Sequence, residues 1–358
     1  MNPTSLMLTG VGSVTPYGPL AGLIPTAPLA GLIPTAPLEP STITAWATPE
    51  LRRAFLVEPF RPASIVPGLK TRRLDRLSVW ALVASSLALR DADIDLATMD
   101  RSRIAVFFAT SFGCVELTEA FYQSAATHGW AETDPILFPE TLSNAPASHV
   151  ALFHDLHGPN VTISSQGFAA ESALLQASSL LRHGQADLAI VLAGDTLTQA
   201  IYEWYETAHL LSPACFSNEP LSSAGGFIPS EGVVAMVLEP AGRQEARSYA
   251  TLGAGRWAAG GDAQSGVRQL LGDATPRLTI CAGDGGPCAF THSTCSARNL
   301  VGEDATILPA QPVATGIGEA GALLHLLLAL SSRPGAGDAL LLATSANGGF
   351  AALRLEIL

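Results

Sequence analysis

The chain has 358 residues, enough for two ordinary domains or one large α/β unit, and 48% of them are hydrophobic against 14% charged. This balance, with a mean hydropathy of +0.31, indicates that part of the surface is covered in an oligomer. The net charge is −12, and the 19 basic residues (Lys70 and arginines) form no run, which argues against nucleic-acid binding.

The sequence shows no targeting, membrane or metal signature. MNPTSLMLTG lacks the basic segment and apolar run of a signal peptide, and the longest apolar stretch, 320–330, is too short for a membrane span. We therefore expect a cytoplasmic protein. Cys281, Cys288 and Cys295 fall seven residues apart with His292 between the last two, but zinc sites usually space cysteines more closely. Buried thiols in a reducing compartment are the simpler interpretation, and no metal is expected.

One internal repeat stands near the start of the chain. PLAGLIPTA occurs twice, at 19–27 and 28–36, and the unit is too short for a solenoid repeat. Prolines punctuate it, so we predict an irregular surface loop lengthened by duplication.

Strand and helix patterns alternate along the rest of the chain. The strand patterns are LMLTGVGSV, RIAVFFAT, NVTIS, LAIVLAGD and GVVAMVLEP, followed after about residue 240 by YATLGAGRW, RLTICAG, ALLLATSA and FAALRLEIL. The helix patterns are LDRLSVWALVASSLALRDA, CVELTEAFYQSAATH, APASHVALFHDL, AAESALLQASSLLRHG and GEAGALLHLLLALSS. Strands that are apolar on both faces and alternate with helices predict an α/β fold of buried sheets covered by helices.

The stretch at 158–184, GPNVTISSQGFAAESALLQASSLLRHG, combines an apolar strand, a bend of small residues and an amphipathic helix. Enzymes use such a joint to expose a nucleophile above a helix N-terminus. The bend here holds Gln166 and Gly167, and neither side chain can act as a nucleophile.

Five stretches in order resemble the β-ketoacyl synthases of the thiolase superfamily. They are LTGVGSVTPYG, FPETLSNAPASHVALFHDLHGPNVTIS, GFIPSEGVVAMVLE, TGIGEAGALLHLLLAL and TSANGGFAALRLE. The resemblance implies a thiolase-like five-layer αβαβα fold of two related halves. We place the first half, which carries the duplicated loop 19–36, at 1–240 and a shortened second half at 241–358.

Chemistry in that family needs a cysteine at a strand–bend–helix joint of this kind, which we call the elbow. This cysteine takes the acyl chain as a thioester, and two histidines assist decarboxylation and stabilise the enolate. An ungapped comparison places Gly167 at the cysteine position, directly after Gln166. It places Ala282 at the first histidine and Thr315 at the second. The resemblance therefore implies a subunit that is not an enzyme on its own.

Inactive homologues of this kind are the chain-length factors, or ketosynthase β subunits, of type II polyketide synthases. The resemblance implies that the chain pairs with an active ketosynthase, shapes the tunnel for the growing acyl chain, meets an acyl carrier protein through the complex and binds no cofactor. Members of aromatic-polyketide systems carry Gln at the cysteine position, whereas Gln166 falls one residue early. This departure indicates a divergent branch, for which polyene-making systems are candidates.

The residues that correspond to the family's tunnel gate are Phe112, Leu117, Phe121 and Trp204. Leu117 and Phe121 stand at helical spacing and equally fit a helix core. Trp204, between Tyr and Glu, fits an interface.

We interpret two acidic residues and two histidines of these motifs as structural residues. Glu231 matches a family glutamate that supports a turn, and Asp195 ends a strand at a position that the family uses for folding. His149 and His154 are expected at a helix surface or in satisfied polar contacts.

Three alternatives stay open. The first is an active enzyme with a relocated nucleophile, Cys281 or Cys288, and His292 as its base. The second is a malonyl decarboxylase in which Gln replaces the cysteine, although that chemistry still needs the histidines. The third is a scaffold that stabilises a ketosynthase without setting product length.

Overall fold

A computed structural model gives the structure of most of the chain. It describes residues 5–24, 40–44, 46, 51–165, 167–216, 226–242, 247–258, 263–272, 274–282, 297–301, 306–308, 320–332, 337–344 and 349–358.

Within these ranges the alternation of strands and helices is confirmed. The strands are β1 (Leu6–Thr15), β2 (Gly18–Ala21), β3 (Ser41–Thr42), β4 (Arg53–Ala54), β5 (Ile104–Thr110), β6 (Asn160–Ser164), β7 (Leu188–Asp195), β8 (Gly232–Pro240), β9 (Ala250–Ala258), β10 (Leu278–Ala282), β11 (Thr306–Leu308), β12 (Gly337–Thr344) and β13 (Phe350–Ile357). The helices are α1 (Pro62–Ile65), α2 (Arg76–Asp91), α3 (Val115–His128), α4 (Ala145–His154), α5 (Ala169–Arg182), α6 (Gln199–Thr207), α7 (Ala263–Leu271) and α8 (Ala320–Ser331). Short 3₁₀ turns lie at Leu96–Thr98, Arg101–Arg103, Trp130–Glu132, Pro135–Thr141 and Pro213–Cys215.

The strands form two halves with the same topology. The order is β6-β5-β7-β8-β1 in the first half and β11-β10-β12-β13-β9 in the second, with β2 added beside β1. In each half the three strands at the outer end are parallel, and the last strand of the half in chain order inserts antiparallel between its neighbours. A short antiparallel pairing of β1 with β9, at Leu6–Leu8, joins the halves.

The helices form three layers around these two halves. Helices α5 and α8 lie in the middle and contact strands of both halves. On the outer side, α2 and α4 cover the first half and α7 covers the second. Three separate hydrophobic clusters fill the spaces between the layers. The predicted five-layer αβαβα arrangement of two related halves is therefore confirmed, while the boundary at 240/241 stays a prediction.

Local sequence explains how closely these layers pack. The sequence of α8, AGALLHLLLALS, is almost entirely apolar, as expected for a helix that is enclosed between the two halves. In β1, a Cβ on Gly10 would collide with Ala88 of α2, and one on Gly12 would collide with Ala84. The glycines of the LTGVGSV motif thus let α2 lie directly on β1.

The described part of the repeat corrects the prediction of an irregular loop. Residues 19–21 belong to β2 and pair with β1, after a two-residue turn that closes at Gly18 with φ +90°. Ile24 is buried, and its N–H donates to Ser331 Oγ at 3.0 Å. The remaining positions of the repeat, 25–36, lie outside the described residues. The prediction was wrong at 19–21 because the turn residues place this segment along the edge of β1.

None of the helices in the described ranges is long and apolar enough to cross a membrane.

Candidate functional site

The strand–turn–helix joint is present between β6 and α5. After β6 ends, the Ser165 N–H donates to the Thr110 carbonyl at 3.1 Å, which holds the start of the bend against β5. Gly167 and Phe168 then take positive φ angles of +157° and +62°, and α5 begins at the next residue. The Ser165 hydroxyl donates to the Gly167 carbonyl at 3.1 Å. The chain therefore turns sharply into the N-terminus of a buried helix, as the sequence predicts.

The two described family positions carry no reactive group. Gly167 has no side chain, and a Cβ built there would meet no described atom within 4 Å. Ala282 is the buried last residue of β10 and pairs in register with Ala343. Gln166, which precedes the predicted cysteine position, and Thr315, at the predicted position of the second histidine, lie outside the described residues.

Two of the predicted gate residues lie together. The Phe112 ring, on the loop between β5 and α3, is 6.2 Å from the Trp204 ring of α6 and 6.2 Å from the Tyr205 ring, both edge-on. The Tyr205 ring is in turn 4.8 Å from the Phe227 ring. We call these four residues the aromatic wall; it runs from a half-exposed Trp204 to a buried Phe227. The sequence did not predict that Tyr205 and Phe227 belong to this group. For Tyr205 the spacing with Tyr202 on one helix face is a signal that could have indicated it.

The loop that carries Phe112 is built on Asp195, a buried residue at the end of β7. Its carboxylate accepts hydrogen bonds from the Thr110 hydroxyl at 2.7 Å and from the Ser111 and Phe112 N–H groups at 2.9 Å each. The structural role predicted for Asp195 is therefore to hold the loop after β5.

The other two predicted gate residues lie elsewhere. Phe121 of α3 is 8% exposed and packs beneath three exposed rings, those of Tyr122, Trp130 and Phe138, at centroid distances of 5.7, 6.4 and 6.0 Å. We call Tyr122, Trp130 and Phe138 the aromatic patch. Leu117 lines a separate surface pocket of about 450 Å³ between α2, α3 and the segment before α1.

This pocket is held together by ion pairs. The Arg76 guanidinium lies over the Trp80 ring at 5.0 Å and pairs with Glu116 at 2.9 Å and Glu231 at 3.1 Å. Glu231 also accepts the N–H groups of Val57 at 3.2 Å and Leu197 at 3.1 Å. Burial raises the pKa of the Glu231 carboxyl, and Arg76 opposes that shift. The turn-supporting role predicted for Glu231 is consistent with these contacts.

The two motif histidines have polar partners. His149 Nε2 lies 2.6 Å from Glu140 Oε2, and His154 Nε2 lies 3.1 Å from Ser85 Oγ. Burial lowers the pKa of His154 to about 4, so its ring is neutral at neutral pH. The prediction of satisfied polar positions is confirmed.

The buried thiols do not resemble activated nucleophiles. Burial raises the pKa of Cys215 and of Cys281 to about 12 and raises the pKa of Cys114 as well. These thiols therefore stay protonated at neutral pH. Cys288, Cys295 and His292 lie outside the described residues. Among the residues that the structure describes, no group of three His, Cys, Asp or Glu side chains could hold a metal ion.

Known proteins resemble the chain in sequence. 3-Oxoacyl-(acyl-carrier-protein) synthase 2 of Vibrio cholerae is 24% identical over 204 residues, which cover 55% of this chain and 49% of that protein. Nodulation protein E of Rhizobium leguminosarum bv. trifolii is 25% identical over 181 residues, 50% of this chain and 44% of that protein. The chain thus aligns with about half the length of the curated relatives it matches.

Solved structures resemble it over its whole length. The ishigamide ketosynthase/chain length factor superposes with a TM-score of 0.72 at 21% identity, over 99% of both chains. A Beta-ketoacyl synthase from Burkholderia phymatum gives 0.76 at 18% identity, over 99% of this chain and 100% of that one. AntDE:AntF, a type II PKS acyl-carrier protein in complex with its ketosynthase, gives 0.74 at 17% identity with the same coverage. These likenesses show the ketosynthase fold.

The family model described as Beta-ketoacyl synthase, N-terminal domain, matches residues 35–243, which include β5 to β8 of the first half and the elbow between β6 and α5. This match, together with the elbow and the two five-stranded halves, shows that the chain belongs to the β-ketoacyl synthase family.

Proposed function

We propose that the chain is a non-catalytic chain-length factor that pairs with an active ketosynthase and shapes the elongation tunnel of a type II polyketide synthase. The observation that carries this proposal is the elbow: the strand, the bend and the buried helix are kept, while Gly167 stands where a nucleophile would be.

The other family positions support a lack of catalysis. Gln166, Ala282 and Thr315 supply neither a thiol nor an imidazole. Cys281 does not replace the nucleophile, because burial keeps its thiol protonated, with a pKa of about 12. A decarboxylase that uses Gln in place of the cysteine still needs the two histidines, so Ala282 and Thr315 disfavour this alternative.

The surface supports pairing with a subunit of the same fold. β6 is the outermost strand of the first half, and its NVTIS sequence has no charge or proline to prevent another strand from pairing. Helix α4 packs against β6 and against the 3₁₀ turn at Pro135–Thr141 that carries Phe138. Helix α4 therefore connects the open edge of β6 with the turn that carries Phe138 of the aromatic patch, and exposed aromatic residues are enriched at protein interfaces.

The aromatic wall supports a role in product length. A subunit without a nucleophile can influence the length of an acyl chain only through the shape it gives to the shared tunnel. Large rings on rigid elements, such as Phe112 and Trp204, can form the end of such a tunnel, because a growing chain stops where it meets them. One of the similar structures is named a ketosynthase/chain length factor, and another is a complex with an acyl-carrier protein; both fit this proposal.

The test is co-expression with an active ketosynthase and an acyl carrier protein. We expect a one-to-one complex with the ketosynthase, and we expect Phe112→Ala or Trp204→Ala to lengthen the products, because each change removes part of the wall. Trp257→Ala is the matched control, since Trp257 is also half-exposed but lies on β9.

A stable homodimer that ignores the ketosynthase would contradict the proposal. Unchanged products from both variants in an intact complex would favour a scaffold that stabilises its partner without setting length.

A further inference from the structure

The end of β7 lies between the two segments that carry Phe112 and Trp204 of the aromatic wall. Asp195 is its last residue, and it is buried. The loop with Phe112 lies on one side of it, and α6, with Trp204, follows it along the chain.

On the loop side, one carboxylate organises four consecutive residues. Asp195 Oδ1 accepts the Thr110 hydroxyl at 2.7 Å and the Ser111 and Phe112 N–H groups at 2.9 Å each, and Oδ2 accepts Ser111 N–H again at 3.1 Å. The Thr110 hydroxyl in turn accepts the Gly113 N–H at 2.9 Å. Because several hydrogen bonds converge on this one carboxyl group, it restrains the backbone of the turn.

On the helix side, Thr198 caps α6. Its Oγ1 accepts the Ile201 N–H at 3.3 Å and donates to Glu119 Oε1 of α3 at 2.8 Å. The short segment from Asp195 to Thr198 therefore connects the Phe112 loop, α3 and the start of α6. The 6.2 Å spacing between the Phe112 and Trp204 rings depends on that segment.

From this geometry we propose that Asp195 is a positioning residue for product length: its carboxylate sets where the Phe112 ring stands against Trp204. The proposal rests on the proposed function, since it assumes that the aromatic wall limits the chain.

An amide cannot replace this carboxylate. The single acceptor oxygen of Asn can take the place of Oδ1, but its NH₂ group then replaces Oδ2 and points a donor at the Ser111 N–H. In Asp195→Asn the loop should lose the Oδ2 bond and gain a donor–donor repulsion, so the Phe112 ring should occupy a wider range of positions.

The experiment is a double-mutant cycle in the assembled complex, with the product-length profile as the readout. We expect Asp195→Asn to broaden the profile toward longer products, in the same direction as Phe112→Ala. In the Phe112→Ala background it should add no further lengthening, because the ring it positions is already gone. Asp91→Asn is the matched control: the Asp91 carboxylate is also buried and accepts a backbone N–H, from Val11 at 2.9 Å, but its side-chain partners are Tyr249 and Arg247 and not residues of the Phe112 loop.

A second pair of variants covers the case in which Asp195→Asn does not assemble. Thr110→Val removes both hydroxyl bonds within the same turn, whereas Thr110→Ser keeps them. We expect longer products from the valine variant and the wild-type profile from the serine variant.

The outcomes separate this inference from the function on which it rests. The positioning role is wrong if Phe112→Ala lengthens the products while Asp195→Asn and Thr110→Val leave them unchanged. It is also wrong if the effect of Asp195→Asn adds fully to that of Phe112→Ala. In both cases the proposed function as a chain-length factor is retained. If Phe112→Ala and Trp204→Ala change nothing in an intact complex, the proposed function and this inference both fail.

Discussion

Glu171 is a buried acid in the first turn of α5, the helix that follows the empty elbow. Its side chain is 4% exposed, and α5 is enclosed between the two halves of the fold. Burial raises the pKa of Glu171 from 4.5 to about 7, and only a backbone N–H bond within the residue opposes this shift. The carboxyl is therefore neutral in the folded protein under mildly acidic conditions.

This pKa predicts a pH dependence of stability. Because the folded pKa lies above the unfolded value, the neutral acid stabilises the fold fully below pH 4.5, and that stabilisation is lost as the pH rises through about 7. The shift corresponds to on the order of 3 kcal/mol of unfolding free energy well above pH 7. We expect Glu171→Gln to remove this decline, so that the variant exceeds the wild type most clearly at alkaline pH.

Denaturant unfolding of both proteins across this pH range checks the prediction. Glu132→Gln is the control, because Glu132 is exposed on a 3₁₀ turn and should leave the pH profile unchanged. Parallel profiles for the wild type and Glu171→Gln would show that the residue does not titrate as described.

At the scale of elements, Asp75 joins two helices with one carboxylate. Its Oδ1 accepts the Leu77 N–H at 2.8 Å and caps α2, while Oδ2 accepts the Leu117 N–H at 3.0 Å in the first turn of α3. Asp75 is 1% exposed, so both N–H groups depend on its carboxylate for their hydrogen bonds. α3 also carries Phe121 and packs against the turns of the aromatic patch, so its docking on α2 affects the shape of that surface.

Asp75→Ala should therefore destabilise the protein by about 2 to 4 kcal/mol, the sum of a lost cap and an unsatisfied buried N–H. The midpoint of urea unfolding measures this effect. Asp95→Ala provides the comparison, because Asp95 caps an exposed 3₁₀ turn through the Ala97 N–H at 2.9 Å and should cost less than about 1 kcal/mol. Equal losses in the two variants would contradict the bridging role of Asp75.

At the scale of the whole molecule, four exposed aromatic side chains lie on α3, on α4 or on the 3₁₀ turns between them: Tyr122, Trp130, Phe138 and Phe153. Trp130 is 66% exposed in the patch, and the α4 residues Leu152 and Phe153 are exposed on the helix that packs against β6. Exposed apolar surface of this kind marks an interaction site. It also agrees with the low fraction of charged residues in the composition, 14%.

We expect Trp130→Glu to weaken assembly with the ketosynthase, raising the dissociation constant about tenfold or more, because a buried charge would replace an interface ring. Trp257→Glu is the matched control: this tryptophan is 52% exposed but lies on β9 in the second half. Titration of one purified subunit with the other gives both constants. Equal weakening by the two changes would argue against the patch as the interface.

The sequence by itself determined the alternation of strands and helices, and with it the fold class. Hydrophobic pattern and backbone preference are local properties that repeat along the chain, as in the apolar strand β7 or the largely apolar helix α8. The absence of a thiol and imidazoles at Gly167, Ala282 and Thr315 is likewise a property of the sequence alone.

Only the tertiary structure decided which distant side chains meet. Phe112 and Trp204 come together because β5 and β7 are neighbours in the sheet, and for the same reason the Asp195 carboxylate reaches the loop after β5. Phe121, which shares a helix face with Leu117, lies instead beneath the aromatic patch. Helical spacing shows that a residue is buried but not which element covers it. Strand order and layer packing determine that, and they depend on contacts across the whole chain.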